Sequence, residues 1–167
     1  ETNWASGIAS TGRPIAKVQS VRPMLVVQVE DGSTKQDLFS KTDLDQLVRS
    51  IREEMPSVSP DEIAHCFQDE GQLQADGIGI RKAEPSKLQD DQFAEVVLFK
   101  TALTTGWDCP RAETMMSYRT ARDATMIEQL IGRMIRAPLA RGIESNDALN
   151  TVRLYLPGFE RTAVQAI

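Results

Sequence analysis

The run MLVVQV, residues 24 to 29, constrains this chain most. It has strand length, is rich in β-branched residues, barely alternates with polar ones, and closes on the turn signal Glu30-Asp31-Gly32. A strand with one wet face alternates apolar and polar residues. One that does not alternate is buried on both faces, which implies a parallel sheet covered by other elements. AEVVLF at 94 to 99 repeats the pattern, and EIAHCF, TMMSY at 114 to 118 and VRLYL at 152 to 156 are further strand candidates, with a short one at IAKVQ. Between them, TDLDQLVRSIREEM spaces Leu44, Leu47, Val48, Ile51 and Met55 as a helix, with Thr42 as N-cap and Pro56 as stop. Residues 124 to 137 form a second helix, and the polar stretch 68 to 91 reads as a loop followed by one helix near 85 to 92. Strands alternating with helices predict right-handed βαβ units: an α/β fold with five or six mostly parallel strands and helices on both faces.

Composition limits what such a fold can serve. The 167 residues are 41% apolar and 26% charged, so one domain with its own core is expected, burying roughly 70% of the unfolded surface. No stretch approaches the roughly 20 apolar residues of a membrane span, and the opening ETNWASGIAS lacks the basic start and apolar run of a signal peptide. A soluble, cytoplasmic protein with no membrane partner is expected. The 24 acidic and 19 basic side chains give a net charge of -5, which excludes a generally basic nucleic-acid surface but not a local basic groove. Cys66, Cys109 and the single His65 are not spaced as metal ligands, and both thiols read as reduced. Residues 1 to 20, with Gly7, Gly12 and Pro14, read as a linker or extension. The start at Glu1 and the apolar closing pattern FERTAVQAI lead to the expectation of a piece of a larger protein.

Two segments carry chemistry. In the helix ATMIEQLIGRMIRAP, Gln129, Gly132, Arg133 and Arg136 fall on one stripe, opposite Ile127, Leu130, Ile131 and Met134. Gly132 costs about 1 kcal/mol relative to Ala inside a helix, so close approach of a ligand or another backbone is a reason for it. Paired arginines present fixed donors suited to phosphate oxygens; a solvated basic face is the bland alternative. The second segment, VVLFKTALTTGWDCP, leads from a strand into a Thr-rich loop with Gly106 and Asp108. Ligands of α/β sheets gather beyond the carboxyl ends of strands, although a tight turn capped by Asp108 would look the same.

Taken in order, the two resemble motifs of one family. LTTGWDCP is similar to motif V, and QLIGRMIR to motif VI (Q-x-x-G-R-x-x-R), of the second RecA-like domain of superfamily 2 helicases and translocases, with MLVVQV at the position of motif IV. The wording GWDCP followed by IGRMIRAP most resembles the helicase subunit of type III restriction enzymes, with type I motor subunits also similar. The resemblance implies a three-layer RecA-like domain over residues 21 to 167, serving as the C-terminal motor domain of an ATP-dependent helicase or translocase. Arg136 would be the arginine finger at the γ-phosphate, Arg133 its companion, and Gln129 would orient water or phosphate, with Gly132 permitting close approach. Gly106 and Asp108 would meet the ribose side, and Lys100, Thr101 and Thr104 the nucleic-acid backbone. It further implies ATP and Mg as cofactors, DNA or alternatively RNA as substrate, the first RecA-like domain as partner, and in the restriction setting a modification subunit and a nuclease activity. Thr105 stands where many helicases have Arg before the motif V Gly.

The absences matter equally. No G-x-x-x-x-G-K-[ST] phosphate loop occurs, and Asp61-Glu62-Ile63-Ala64-His65 has one residue too many for an acidic D-E-x-[DH] box. DGIGIRK lacks the third Gly of a dinucleotide loop and reads as a turn. The chain supplies the finger without the cradle, so alone it is expected to be inactive. The alternative from another class is a noncatalytic α/β nucleotide-binding or protein-interaction module. Met115, Met116, Met126 and Met134 read as core filler, and Trp107 as packing at the domain edge.

Overall fold

The apolar runs form the centre of one sheet in a computed structural model that describes residues 22–33, 38–68, 71–100, 109, 111–119 and 151–156. In chain order the elements are β1 (Leu25–Gln28), α1 (Leu44–Glu54), β2 (Ile63–His65), β3 (Leu73–Ala75), β4 (Ile78–Lys82), β5 (Val96–Phe99), β6 (Thr114–Ser117) and β7 (Arg153–Tyr155). The sheet has seven strands ordered β3-β4-β2-β5-β1-β6-β7. Every pair is parallel except β3 with β4. The fold is thus α/β with a mostly parallel sheet, and the expected five or six strands become seven. The difference is the β3-β4 hairpin, in the stretch expected to be a loop. It turns on Asp76 and Gly77, both at positive φ (47° and 73°), the conformation a two-residue hairpin requires. Asp76 is tied to α1 by Arg49 at 3.0 Å and Arg52 at 2.8 Å.

The helix expected near 85 to 92 is only a single 3₁₀ turn, Pro85–Lys87. In α1 the cap is Asp43 and not Thr42: the Asp43 carboxylate accepts from the Gln46 N–H at 3.0 Å. The Thr42 hydroxyl instead accepts from the Glu30 N–H at 3.0 Å. α1 is the only α-helix among the described residues, so the second expected helix and the IAKVQ strand lie outside them.

The two faces of the sheet carry separate cores. Leu47, Val48 and Ile51 of α1 cover Val27, Ile63, Val96 and Leu98 on one face. Leu88, Ala94, Cys109 and Ala112 pack with Val26, Ala64, Val97 and Met115 on the other. Each such side chain contributes roughly 1.5–3 kcal/mol when Val- or Leu-sized and fully buried. This arrangement follows from handedness. The connection from β1 to β2 steps one way along the sheet and carries α1 on one face, whereas β4 to β5 and β5 to β6 step the other way, with Leu88 and Ala94 of the first and Cys109 and Ala112 of the second packed on the opposite face. Met115 is core as expected, but Met116 is 36% exposed. Its neighbour in register on β7, Tyr155, is exposed as well.

Two carboxylates titrate in opposite directions. Burial pushes Asp91 up, but Arg81 at 2.8 Å and the N–H groups of Phe93 and Ala94 outweigh it and hold it below the usual range. Its stabilisation is present above the unfolded carboxylate value, about 3.9, and is lost as pH falls through the lower folded value. Burial raises Glu113, with Arg153 only partly offsetting it, and its Oε1 has no hydrogen-bond partner among the described residues. Stability therefore falls as pH rises from the unfolded glutamate value through the higher folded one. Glu113→Gln is expected to raise the melting temperature by a few degrees at pH 7, a gain that vanishes below about pH 4, near the unfolded carboxylate value. A lower melting temperature at pH 7 would show that the Glu113 charge is compensated.

Candidate functional site

β1 and β5 are adjacent, and the chain reaches α1 on one face after β1 but Cys109 and Ala112 on the other after β5, so their carboxyl ends mark the switch point at which α/β sheets open a crevice. Gln28 ends the apolar run of β1 and is buried at this point. Its Nε2 donates to the Lys100 carbonyl at 3.0 Å, and its Oε1 accepts from the Ser117 hydroxyl at 2.9 Å. The Tyr118 N–H donates to the Gln28 carbonyl at 2.8 Å. One carboxamide thus ties the ends of β5, β1 and β6 together. The only signal in the sequence was a polar side chain inside an apolar run.

Lys100 follows β5 directly. Its ammonium donates to the Phe39 carbonyl and lies 3.3 Å from the centroid of the Phe39 ring and 5.5 Å from that of Phe67. Phe39 and Phe67 meet edge to face at 5.0 Å, and His65 stacks on Phe67 at 5.0 Å. His65 is fully buried at the end of β2. The Phe67 N–H donates to its Nδ1 at 3.2 Å, which assigns the ring proton to Nε2, facing the Gly71 carbonyl at 3.0 Å. Gly32 makes the Phe39 position possible: a Cβ there would lie 1.7 Å from the Leu38 carbonyl oxygen and 2.4 Å from the Phe39 carbonyl.

On the other side of β1 an open cleft of about 400 Å³ is lined by Glu30, Lys41, Thr42, Asp43, Gln46 and Tyr118, among others. The Ser40 hydroxyl donates to the Glu30 carbonyl at 2.7 Å and so pins the wall of this cleft to β1. The N-terminus of α1 opens here, but the Asp43 carboxylate already caps it.

Of the residues singled out in the two motifs, only Lys100 is among those described. Thr101, Thr104, Gly106 and Asp108 lie outside the described residues, as do Gln129, Gly132, Arg133 and Arg136. The first segment leaves the carboxyl end of β5 and returns through buried Cys109 and Arg111 into β6, and the second follows β6. Arg111, to which no local sequence pattern points, is 3% exposed. Its guanidinium donates to four backbone carbonyls, those of Arg22 at 3.1 Å, Leu88 at 3.4 Å, Asp91 and Ala94. Burial lowers its pKa. It fixes the far end of the 101–110 segment as Gln28 fixes the near end.

Asp61 and Glu62 belong to a 3₁₀ turn, Pro60–Glu62, that enters β2. There the Glu62 carboxylate accepts from the Ser59 N–H at 2.8 Å and pairs with Arg22 at 3.0 Å, so it serves as a structural cap. No group of His, Cys, Asp and Glu among the described residues could hold a metal ion. Neither cysteine is in a disulfide, both are buried, and burial pushes the Cys66 thiol up to about 12. No helix among the described residues is long and apolar enough to cross a membrane. No protein-family model matches the chain, and no curated protein matches it.

Proposed function

We propose that this chain is the second RecA-like domain of an ATP-dependent DNA helicase or translocase, of the kind whose motifs resemble the helicase subunit of type III restriction enzymes. The observation that carries the reading is positional: LTTGWDCP follows β5 and QLIGRMIR follows β6, the two strands that flank β1 in a mostly parallel sheet. Both segments therefore leave the sheet at its carboxyl edge, where α/β folds place ligands. In this reading Arg136 and Arg133 meet phosphate oxygens, Gln129 orients the attacking water, Gly132 lets the ligand approach, and Gly106 and Asp108 meet the ribose. Lys100, Thr101 and Thr104 face the nucleic-acid backbone.

The donor set suits one side of a nucleotide. Arginine forks match phosphate oxygens, whereas Mg needs carboxylates and phosphates around it, and this chain offers neither a phosphate loop nor a metal cluster among its described residues. Bound ATP would supply the phosphoryl group to be transferred, on a first RecA-like domain that brings the cradle and the acidic box. This chain's own contribution is to stabilise charge on the γ-phosphoryl oxygens through Arg136 and to grip the nucleic acid. DNA is the proposed track; the same backbone contacts would hold RNA.

Crosslinking tests the arrangement. With Asp108→Cys and Arg136→Cys in one chain, a short bismaleimide is expected to close an intramolecular link, because both residues serve one ligand. The native thiols are buried and do not compete. Leu130→Cys, on the opposite helical stripe, should give no link with position 108. A link from 130 and none from 136 would leave a noncatalytic module as the better reading.

A further inference from the structure

The Lys100 ammonium is already occupied. It sits over the Phe39 ring, within reach of Phe67, and donates to the Phe39 carbonyl. We propose that Phe39 and Phe67 form a parking site for Lys100 that nucleic acid must empty before the lysine can meet a phosphate, so that the domain holds its own affinity down. The proposal rests on the nucleic-acid reading of this edge given above.

Three features make the contact a switch confined to one side chain. First, the Lys100 backbone is fixed: Phe99 is laddered to β1, and the Lys100 carbonyl accepts from buried Gln28 at 3.0 Å. The parked and outward positions therefore differ in the torsions of the lysine side chain. Second, the parking site does not depend on Lys100 for its shape. Leu38 and Ser33 exchange backbone hydrogen bonds at 2.8 and 3.0 Å, Ser40 is tied to Glu30, and Phe39 packs edge to face on Phe67. Third, Lys100 and Phe39 are both only half-buried, so solvent and ligands reach the pair.

The balance is suited to competition. A cation over an aromatic face gains a factor of about two to thirty in population over an unstacked one, and the charged hydrogen bond to the Phe39 carbonyl adds to it. Without a ligand the parked state therefore dominates. A polyanion's phosphate offers the ammonium a full negative charge, and only the outward fraction of the protein is competent to accept it. Apparent affinity is reduced by that fraction. A lysine that merely packs the edge would show no such dependence.

The test uses the whole chain, ¹³C-labelled, titrated with a single-stranded DNA oligonucleotide and followed through the Lys100 ε-methylene resonance. In the free protein this resonance is expected well upfield, shifted by the ring current of Phe39, and it should move toward the ordinary lysine position as oligonucleotide binds. Phe39→Leu, which keeps the carbonyl and removes the ring, should bind the oligonucleotide about two- to thirtyfold more tightly. The gain should be absent when Lys100→Met is added. Binding that leaves the Lys100 resonance upfield overturns the switch alone, and so does unchanged affinity in Phe39→Leu. Failure of both proteins to bind DNA overturns the nucleic-acid reading and the switch's role with it. The wild-type titration does not depend on how well the variants fold.

Discussion

Arg136→Ala, made in the protein that joins this chain to a phosphate-cradling domain, is expected to slow ATP hydrolysis about 10³- to 10⁵-fold. ATP binding should change far less. In the proposed reading the cradle and metal that hold the ground-state nucleotide belong to the other domain, whereas the arginine acts on charge that develops only as the γ-phosphoryl group leaves. Arg136→Lys should recover little, because a compact ammonium cannot present the planar fork that spans two phosphoryl oxygens. Single-turnover hydrolysis with bound nucleotide separates the two effects. A comparable loss of binding and turnover would place Arg136 on the ground-state nucleotide instead.

Arg111→Ala is expected to cost about 3 kcal/mol or more of folding stability, read from urea unfolding. Four backbone carbonyls, on the chain before β1 and on the segment between β4 and β5, lose their donor, and a buried side-chain volume empties. Against a total stability of roughly 5–15 kcal/mol this is a large fraction. Arg111→Met separates the causes: it refills the volume but leaves the carbonyls unpaired, so most of the loss should persist. Near-native stability in the methionine variant would mean that the carbonyls find water and that the clamp is only filler.

The sheet's centre was legible in the sequence because β1 and β5 are apolar at nearly every position, a pattern that burial on both faces imposes. α1 was legible through the spacing of Leu47, Val48 and Ile51, and its cap was misplaced by one residue because Thr42 and Asp43 can both accept a backbone N–H. The hairpin of β3 and β4 was not legible beyond its Asp76-Gly77 turn: its strands are short, and Gln74 and Gly79 dilute any alternation. Gln28 and Arg111 escaped for another reason. Their partners lie 72 and 89 residues away for Gln28, and as far as 89 for Arg111, and no local pattern encodes such distant pairing. The contact of Lys100 with Phe39 was illegible for the same reason, since the two lie 61 residues apart in sequence.

The proposed function requires that this chain complete a nucleotide site it cannot form alone. Steady-state ATP hydrolysis measures it most directly, on this chain, on the cradle-bearing domain, and on the protein that contains both, each with and without DNA. Turnover, stimulated by DNA, is expected only where both are present, and it should vanish when the joined protein carries Arg136→Ala. Hydrolysis by the cradle-bearing domain at the same rate without this chain, or turnover by this chain alone that survives repurification, would contradict the account.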